Sequence, residues 1–173
     1  MDTFEAINSR YTYRGEFTDK KISEEDIKKI LEAALAAPCG MHNYTTSFVA
    51  ITDPAIIKKL SEAAPITGLK TSQFVLVAMS EKENSYDSMH FEEVNYGAAV
   101  ENILIALTSL GLATVWADGT TKMPRINKSI RKILNVPSDK IIKAILPIGE
   151  PKNPQKPTEK VSIDKVVVFN KFA

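Results

Sequence analysis

Apolar side chains fall so densely between Asn95 and Trp116 that they leave almost no polar face on a helix. The run carries Ala99, Val100, Ile103, Leu104, Ile105, Ala106, Leu107 and Leu110, interrupted by Glu101, Asn102, Thr108 and Ser109. This pattern predicts a helix buried on nearly every side. Gly111 can adopt the left-handed conformation that stops a helix, and Leu112 to Trp116 follows as a short, β-prone core strand. At about sixteen residues, with Glu101 and Asn102 inside it, the helix is too short and too polar to span a bilayer.

The rest of the chain is patterned around this element. Phe4 and Ile7 stand three apart within Asp2–Asn8, as on one face of a short helix. Ser23 begins a second helix, with Asp26 at the capping-box position and one apolar stripe of Ile27, Ile30, Leu31, Ala34 and Leu35. Pro38 ends it, because proline cannot continue a helix and biases its predecessor toward extended conformations. A strand is predicted over Phe48–Thr52. A helix capped by Asp53-Pro54 then runs to about Ala64, with Ile56, Ile57 and Leu60 inward. Phe74 to Met79 is continuously apolar and of strand length, so it reads as an interior strand buried on both faces. Ser80 to Met89 is polar and aperiodic and reads as a loop bordering a site. Asp118 to Thr121 reads as a turn, Pro124 to Leu134 as a helix with Ile126, Ile130, Ile133 and Leu134 inward, and Ile141 to Ile148 as the last core strand, closed by Gly149.

Pro151, Pro154 and Pro157 predict an extended exit from the domain. Val166 to Phe169 then forms an apolar run with no evident place in a compact monomer. Such a strand-like arm is an aggregation hazard unless covered, so it is expected to pack on a second copy of the chain. The alternative is an edge strand of its own sheet. One domain over residues 1–173, with 151–173 as the arm, is the organisation expected from 173 residues.

Charge and cysteine content remove several classes. The 22 basic and 21 acidic residues nearly cancel, so no large field points to nucleic acid. Cys39 is the only cysteine, which excludes an internal disulfide and a cysteine-built zinc site, and no metal site is expected. With no signal peptide and no long apolar run, the chain reads as cytoplasmic, with no membrane partner.

Two stretches carry candidate chemistry. In an extended segment, Arg10, Thr12 and Arg14 would share one face and Tyr11 and Tyr13 the other. Two guanidiniums and a hydroxyl suit a phosphate; the alternative is a solvated basic loop with the tyrosines packed inward. Cys39-Gly40-Met41-His42-Asn43-Tyr44-Thr45-Thr46 is a loop rich in hydrogen-bonding groups between a packed helix and a strand, where a binding site often sits. Equally, His42 reads as a surface imidazole, Cys39 as a small buried filler and Tyr44 as a rim residue.

Taken in order, these segments resemble the FMN-dependent nitroreductase family. Arg10, Thr12 and Arg14 look like its amino-terminal phosphate motif, in which Arg, Ser and Arg alternate. LEAALAAPCGMHN resembles its helix ending in Ala-Pro-Ser-Gly, GAAVENILIALTSLGLATVW its central helix and strand, and PIGEP its late Gly-Tyr-Pro turn. The departures lie in the loop after Pro38, where Cys39 stands for the family's Ser, His42 for its Asn and Tyr44 for its Gln, and at Asn95, where many members have Asp. The chain is also short for the family, so a helical lid over the substrate is expected to be missing.

The resemblance implies an α+β fold: a three-layer α/β/α sandwich with a mixed, largely antiparallel sheet and a C-terminal arm exchanged in a homodimer. It implies FMN held by Arg10, Tyr11, Thr12, Arg14, Pro38, Cys39, Gly40, Met41, His42, Asn43, Trp116, Ala117 and Lys160. Arg10, Thr12 and Lys160 would take the phosphate, with Arg14 as a further partner. The loop from Cys39 to Tyr44 and the strand end at Trp116 to Asp118 would flank the ring. The implied activity passes hydride from NAD(P)H through flavin N5 to a nitroaromatic, quinone or similar electron-poor acceptor, with the chemistry carried by the flavin and no catalytic side chain. The alternatives are a flavin-binding carrier or sensor with little turnover, and a dimeric scaffold that has lost the cofactor.

Overall fold

The computed structural model describes residues 1–82, 85–86 and 89–172. Helix α1 (Thr3–Ser9) is capped by Asp2, whose Oδ1 accepts from Glu5 N–H at 2.8 Å. Its buried residue is Ala6, while Phe4 and Ile7, three apart on one face, are exposed. Helix α2 (Glu24–Leu35) starts at Ser23, whose hydroxyl accepts from Asp26 N–H, the cap read from the sequence, and donates to the Asp26 carboxylate. Then come β1 (Thr46–Ile51), α3 (Pro54–Ala63), β2 (Phe74–Glu81), the short strands β3 (Ser85–Tyr86) and β4 (Met89–His90), α4 (Glu92–Ser109), β5 (Ala113–Thr114), α5 (Pro124–Leu134) and β6 (Lys140–Gly149).

Four strands form one sheet in the order β1-β2-β6-β5, and its strand pairs are antiparallel. β2 explains the three layers. Phe74, Leu76 and Ala78 face α2 and α4, while Val75, Val77 and Met79 face α3 and α5, all of them buried. An element buried on both faces has no polar side to show, hence the unbroken apolar run. In β6 a bulge at Lys143 re-phases the alternation: Ala78 pairs with Ala144 but Met79 with Ile142. Ile142 and Ile145 therefore share the α3/α5 face, and Ala144, Leu146 and Ile148 the α4 face.

Gly111 ends α4 at φ +71°, as its position predicted. The helix begins earlier than the apolar pattern does, because Glu92 and Glu93 occupy its first turn, where carboxylates meet the positive end of the dipole. The strand expected over Leu112–Trp116 is cut to Ala113–Thr114, with Ala117 rejoining β6 at Ile145. The segment read as a loop from Ser80 also changes. Ser80 and Glu81 complete β2, and Ser85–Tyr86 pairs with Met89–His90; residues 83–84 and 87–88 lie outside the described residues. Beyond Pro151, which bridges to Phe17, the tail is exposed to Phe172 and carries one short turn at Ile163–Lys165. Val166 to Phe169 joins no strand of the described residues, so an edge position in its own sheet is not what this run adopts.

Candidate functional site

Residues 10–14 run extended, and the two-sided pattern holds. Tyr13 donates its N–H to Thr114 O at 2.9 Å and packs its buried ring at 5.4 Å from Phe17, with Tyr11 edge-on at 6.2 Å. Thr12 and Arg14 are thereby turned to solvent. The two arginines differ. Arg10 Nε lies 3.2 Å from Glu101 Oε1 of α4. Arg14 has no ion-pair partner among the described residues and borders a cavity of about 300 Å³ with Ile66, Val115, Trp116, Ala117 and Asp118.

That cavity lies along the open edge of the sheet. Ala117 exchanges both backbone hydrogen bonds with Ile145, at 3.3 and 3.2 Å, so the N–H groups of its neighbours Trp116 and Asp118 turn away from β6. Asp118 is held below the usual carboxylate range by a 3.1 Å hydrogen bond from Lys122 Nζ and one of 2.7 Å from Gly119 N–H. The cavity thus combines a cation without an ion-pair partner among the described residues, a fixed carboxylate, an outward backbone donor at Trp116 and apolar walls. Such a set can receive a flat heteroaromatic ring that has a polar edge.

Trp116 is held from behind. Its Nε1–H donates to the Tyr96 hydroxyl, and the rings meet edge to face with centroids 5.4 Å apart at 88°. Burial pushes the Tyr96 phenol up to about 12. Below the unfolded value of 10.0 the phenol is neutral in both states. As pH rises from there toward 12, the unfolded chain ionises and the folded one resists, so stability falls. Urea midpoints between about pH 9 and pH 11 are therefore expected to drop more steeply for the wild type than for Tyr96→Phe. Parallel slopes would contradict this placement of the phenol.

The loop after α2 is strained. Met41 and His42 both take left-handed backbone conformations, at φ 53° and 54°. Asn95, 4% exposed in the first turns of α4, engages the loop three times. Its Oδ1 accepts from Gly40 N–H at 2.8 Å, and its Nδ2 donates to Asn43 O and Thr45 Oγ1, each at 3.0 Å. The Phe91 ring lies on Gly40 so closely that a Cβ there would run into it. Met41, His42 and Tyr44 project outward and are exposed.

The expected site residues do not converge within one chain. Arg14, Trp116 and Ala117 share the first cavity. Arg10 and Tyr11 line a second of about 380 Å³ beside Leu104, Leu107 and Pro154. Pro38 and Cys39 border a space of about 30 Å³ with Asn95, while Gly40, Met41, His42 and Asn43 form the turn above. Thr12 and Lys160 are exposed and border none of these three. The strand order sets the loop before β1 three strand spacings, about 14 Å, from β5. The sequence reading missed Ile66, which brings only an apolar wall, and the part played by Tyr96. It marked Asn95 only as a departure. The signal for Asn95 was an amide embedded in an otherwise apolar helix.

Among the described residues there is no group of three or more His, Cys, Asp or Glu side chains that could hold a metal, and no helix is long and apolar enough to cross a membrane. The description of the nitroreductase family matches residues 7–67 and 66–150. An Archaeoglobus fulgidus protein provisionally named NADH dehydrogenase/NAD(P)H nitroreductase is 31% identical over 154 residues, covering 86% of this chain and 87% of that protein. An FMN-dependent nitroreductase from Clostridium difficile superposes with a TM-score of 0.82 at 25% identity, covering 98% of this chain and 99% of that one. A Parabacteroides distasonis structure under the same provisional name as the archaeal protein gives 0.84 at 25% identity and 98% of both chains.

Proposed function

The chain belongs to the nitroreductase family, and from that premise we propose that it binds FMN and works as an NAD(P)H-dependent oxidoreductase on nitroaromatic, quinone or similar electron-poor acceptors. The observation that carries this reading is the cavity at the sheet edge, where Arg14 has no ion-pair partner among the described residues and the Trp116 N–H turns away from β6. These residues fit the pyrimidine side of a flavin, which is flat, hydrogen-bonding at its rim and anionic when reduced. FMN, when bound, supplies the hydride and electron transfer.

The chain's own residues bind and orient. Arg14 places a positive charge where negative charge would build, in a recess partly walled from water by Ile66 and Val115. Asp118, kept ionised by Lys122, is an acceptor for ring N–H groups. Tyr96 fixes the indole of Trp116 at the cavity wall. Within one chain the strand order sets the loop Cys39–Tyr44 three strand spacings from β5, and it lines a different space from the cavity. A homodimer, in which each copy lends its loop to the other's cavity, completes the site. The exposed Val166–Phe169 of the arm and the exposed Phe4 and Ile7 of α1 supply apolar surface for that pairing.

The test is turnover. Purified protein supplied with FMN is expected to oxidise NADH or NADPH in the presence of a nitroaromatic or quinone. Flavin that stays bound while no acceptor supports oxidation would instead favour the carrier or sensor reading.

A further inference from the structure

Two neighbouring left-handed residues without glycine are costly, and such strain persists only where the surroundings over-determine it. Around Met41 and His42 the surroundings are identifiable. α4 grips the loop from beneath, with the Phe91 ring packed on Gly40 and the Asn95 amide bonded to Gly40, Asn43 and Thr45. Both ends of that amide are used, one as acceptor and the other as a double donor, and the group is buried. We infer that Asn95 is a positioning residue, which holds the strained turn at Met41 and His42 so that these exposed side chains meet the flavin ring bound by the second copy. This rests on the FMN reading above.

The chemistry requires an amide in particular. Aspartate has the same shape and can still accept from Gly40 N–H, but it cannot donate to the Asn43 carbonyl, and its second oxygen would face that carbonyl lone pair to lone pair. Alanine removes all three bonds. If Asn95 merely filled space, aspartate would serve as well. If it holds the loop by donation, aspartate fails at the Asn43 carbonyl, while Gly40 N–H and a rotated Thr45 hydroxyl can still donate to it. The same helix turn also carries Tyr96, which fixes Trp116, so neighbouring residues of α4 orient the two surfaces that flank a flavin in the dimer.

The experiment compares wild type, Asn95→Asp and Asn95→Ala by FMN titration, by visible circular dichroism of the bound flavin and by amide exchange at Gly40. Both variants are expected to weaken FMN by about tenfold or more, equivalent to about 1.4 kcal/mol. Both are also expected to change the visible dichroism and shift the flavin midpoint potential, which a loss of stability alone would not move. Gly40 is expected to exchange at least about tenfold faster in Asn95→Ala, while Asn95→Asp keeps more of its protection. Equal FMN affinity and dichroism in all three proteins would overturn the assignment while leaving the flavin reading intact, as would Gly40 exchange that alanine does not alter. A wild type that takes up no FMN would remove the flavin reading, and this assignment with it.

Discussion

Replacing both Arg10 and Arg14 with alanine is expected to strip FMN from the protein. A charge-assisted hydrogen bond contributes about 1.5–3 kcal/mol, so each guanidinium is worth about 10–150-fold in affinity. The pair together would be worth about 10²–10⁴-fold if the two act independently. The structure separates their shares. Arg14 faces the cavity with no ion-pair partner among the described residues, whereas Arg10 is engaged by Glu101 at 3.2 Å and must give up that partner to bind FMN. Arg14→Ala should therefore weaken FMN more than Arg10→Ala, and Glu101→Gln, which frees Arg10, should tighten it. Neither arginine lies in the core, so the melting temperature of the apoprotein is expected to move little. Fluorescence titration with FMN checks the series. Affinity within about threefold of wild type in the double variant would sink the assignment of these two arginines to FMN.

Ending the chain at Pro157 is expected to produce a monomer that holds no flavin. The deleted segment carries Val161, Ile163, Val166, Val167, Val168, Phe169 and Phe172, all exposed on the single chain, Phe169 at 81%. Covering such a side chain fully contributes about 1.5–3 kcal/mol, and no surface of the described chain covers these. With the arm gone, the dimer dissociation constant is expected to rise by at least about 10³-fold. The loop Cys39–Tyr44 then has no neighbouring cavity to close. Size exclusion with light scattering, together with absorbance at the flavin bands, reports both effects. A truncated protein that stays dimeric and yellow would show that neither pairing nor cofactor retention needs the arm.

What could be read from sequence follows from what hydrophobic pattern encodes. α4 and β2 were legible because burial on every side leaves no polar position to confuse the period. The Ser23 and Asp53 caps were legible because capping is local chemistry. The pattern in α1 was read correctly as one apolar face of a short helix, yet Phe4 and Ile7 are exposed, since periodicity tells that a face is apolar and not what covers it. β5 was overestimated because β propensity continues through Val115 and Trp116, while the backbone pairing lapses there and Trp116 turns to Tyr96. The bulge at Lys143 left no trace in residue type. In the candidate site, the alternation of Arg10, Thr12 and Arg14 against the tyrosines was visible. The division of the arginines between a carboxylate and a cavity was not, because Glu101 lies far along the chain. Asn95 stood out as a substitution, but its three bonds to the loop exist only once α4 and the α2 end have docked.

The central claim is that this chain carries FMN, and the visible absorption spectrum of the purified protein, repeated on the supernatant after heat denaturation, tests it most directly. Flavin bands in the native protein, released on heating as FMN, are the expected result, with one flavin for each chain after saturation. A colourless protein that also takes up no added FMN would contradict the account and leave a nitroreductase-fold protein without its cofactor.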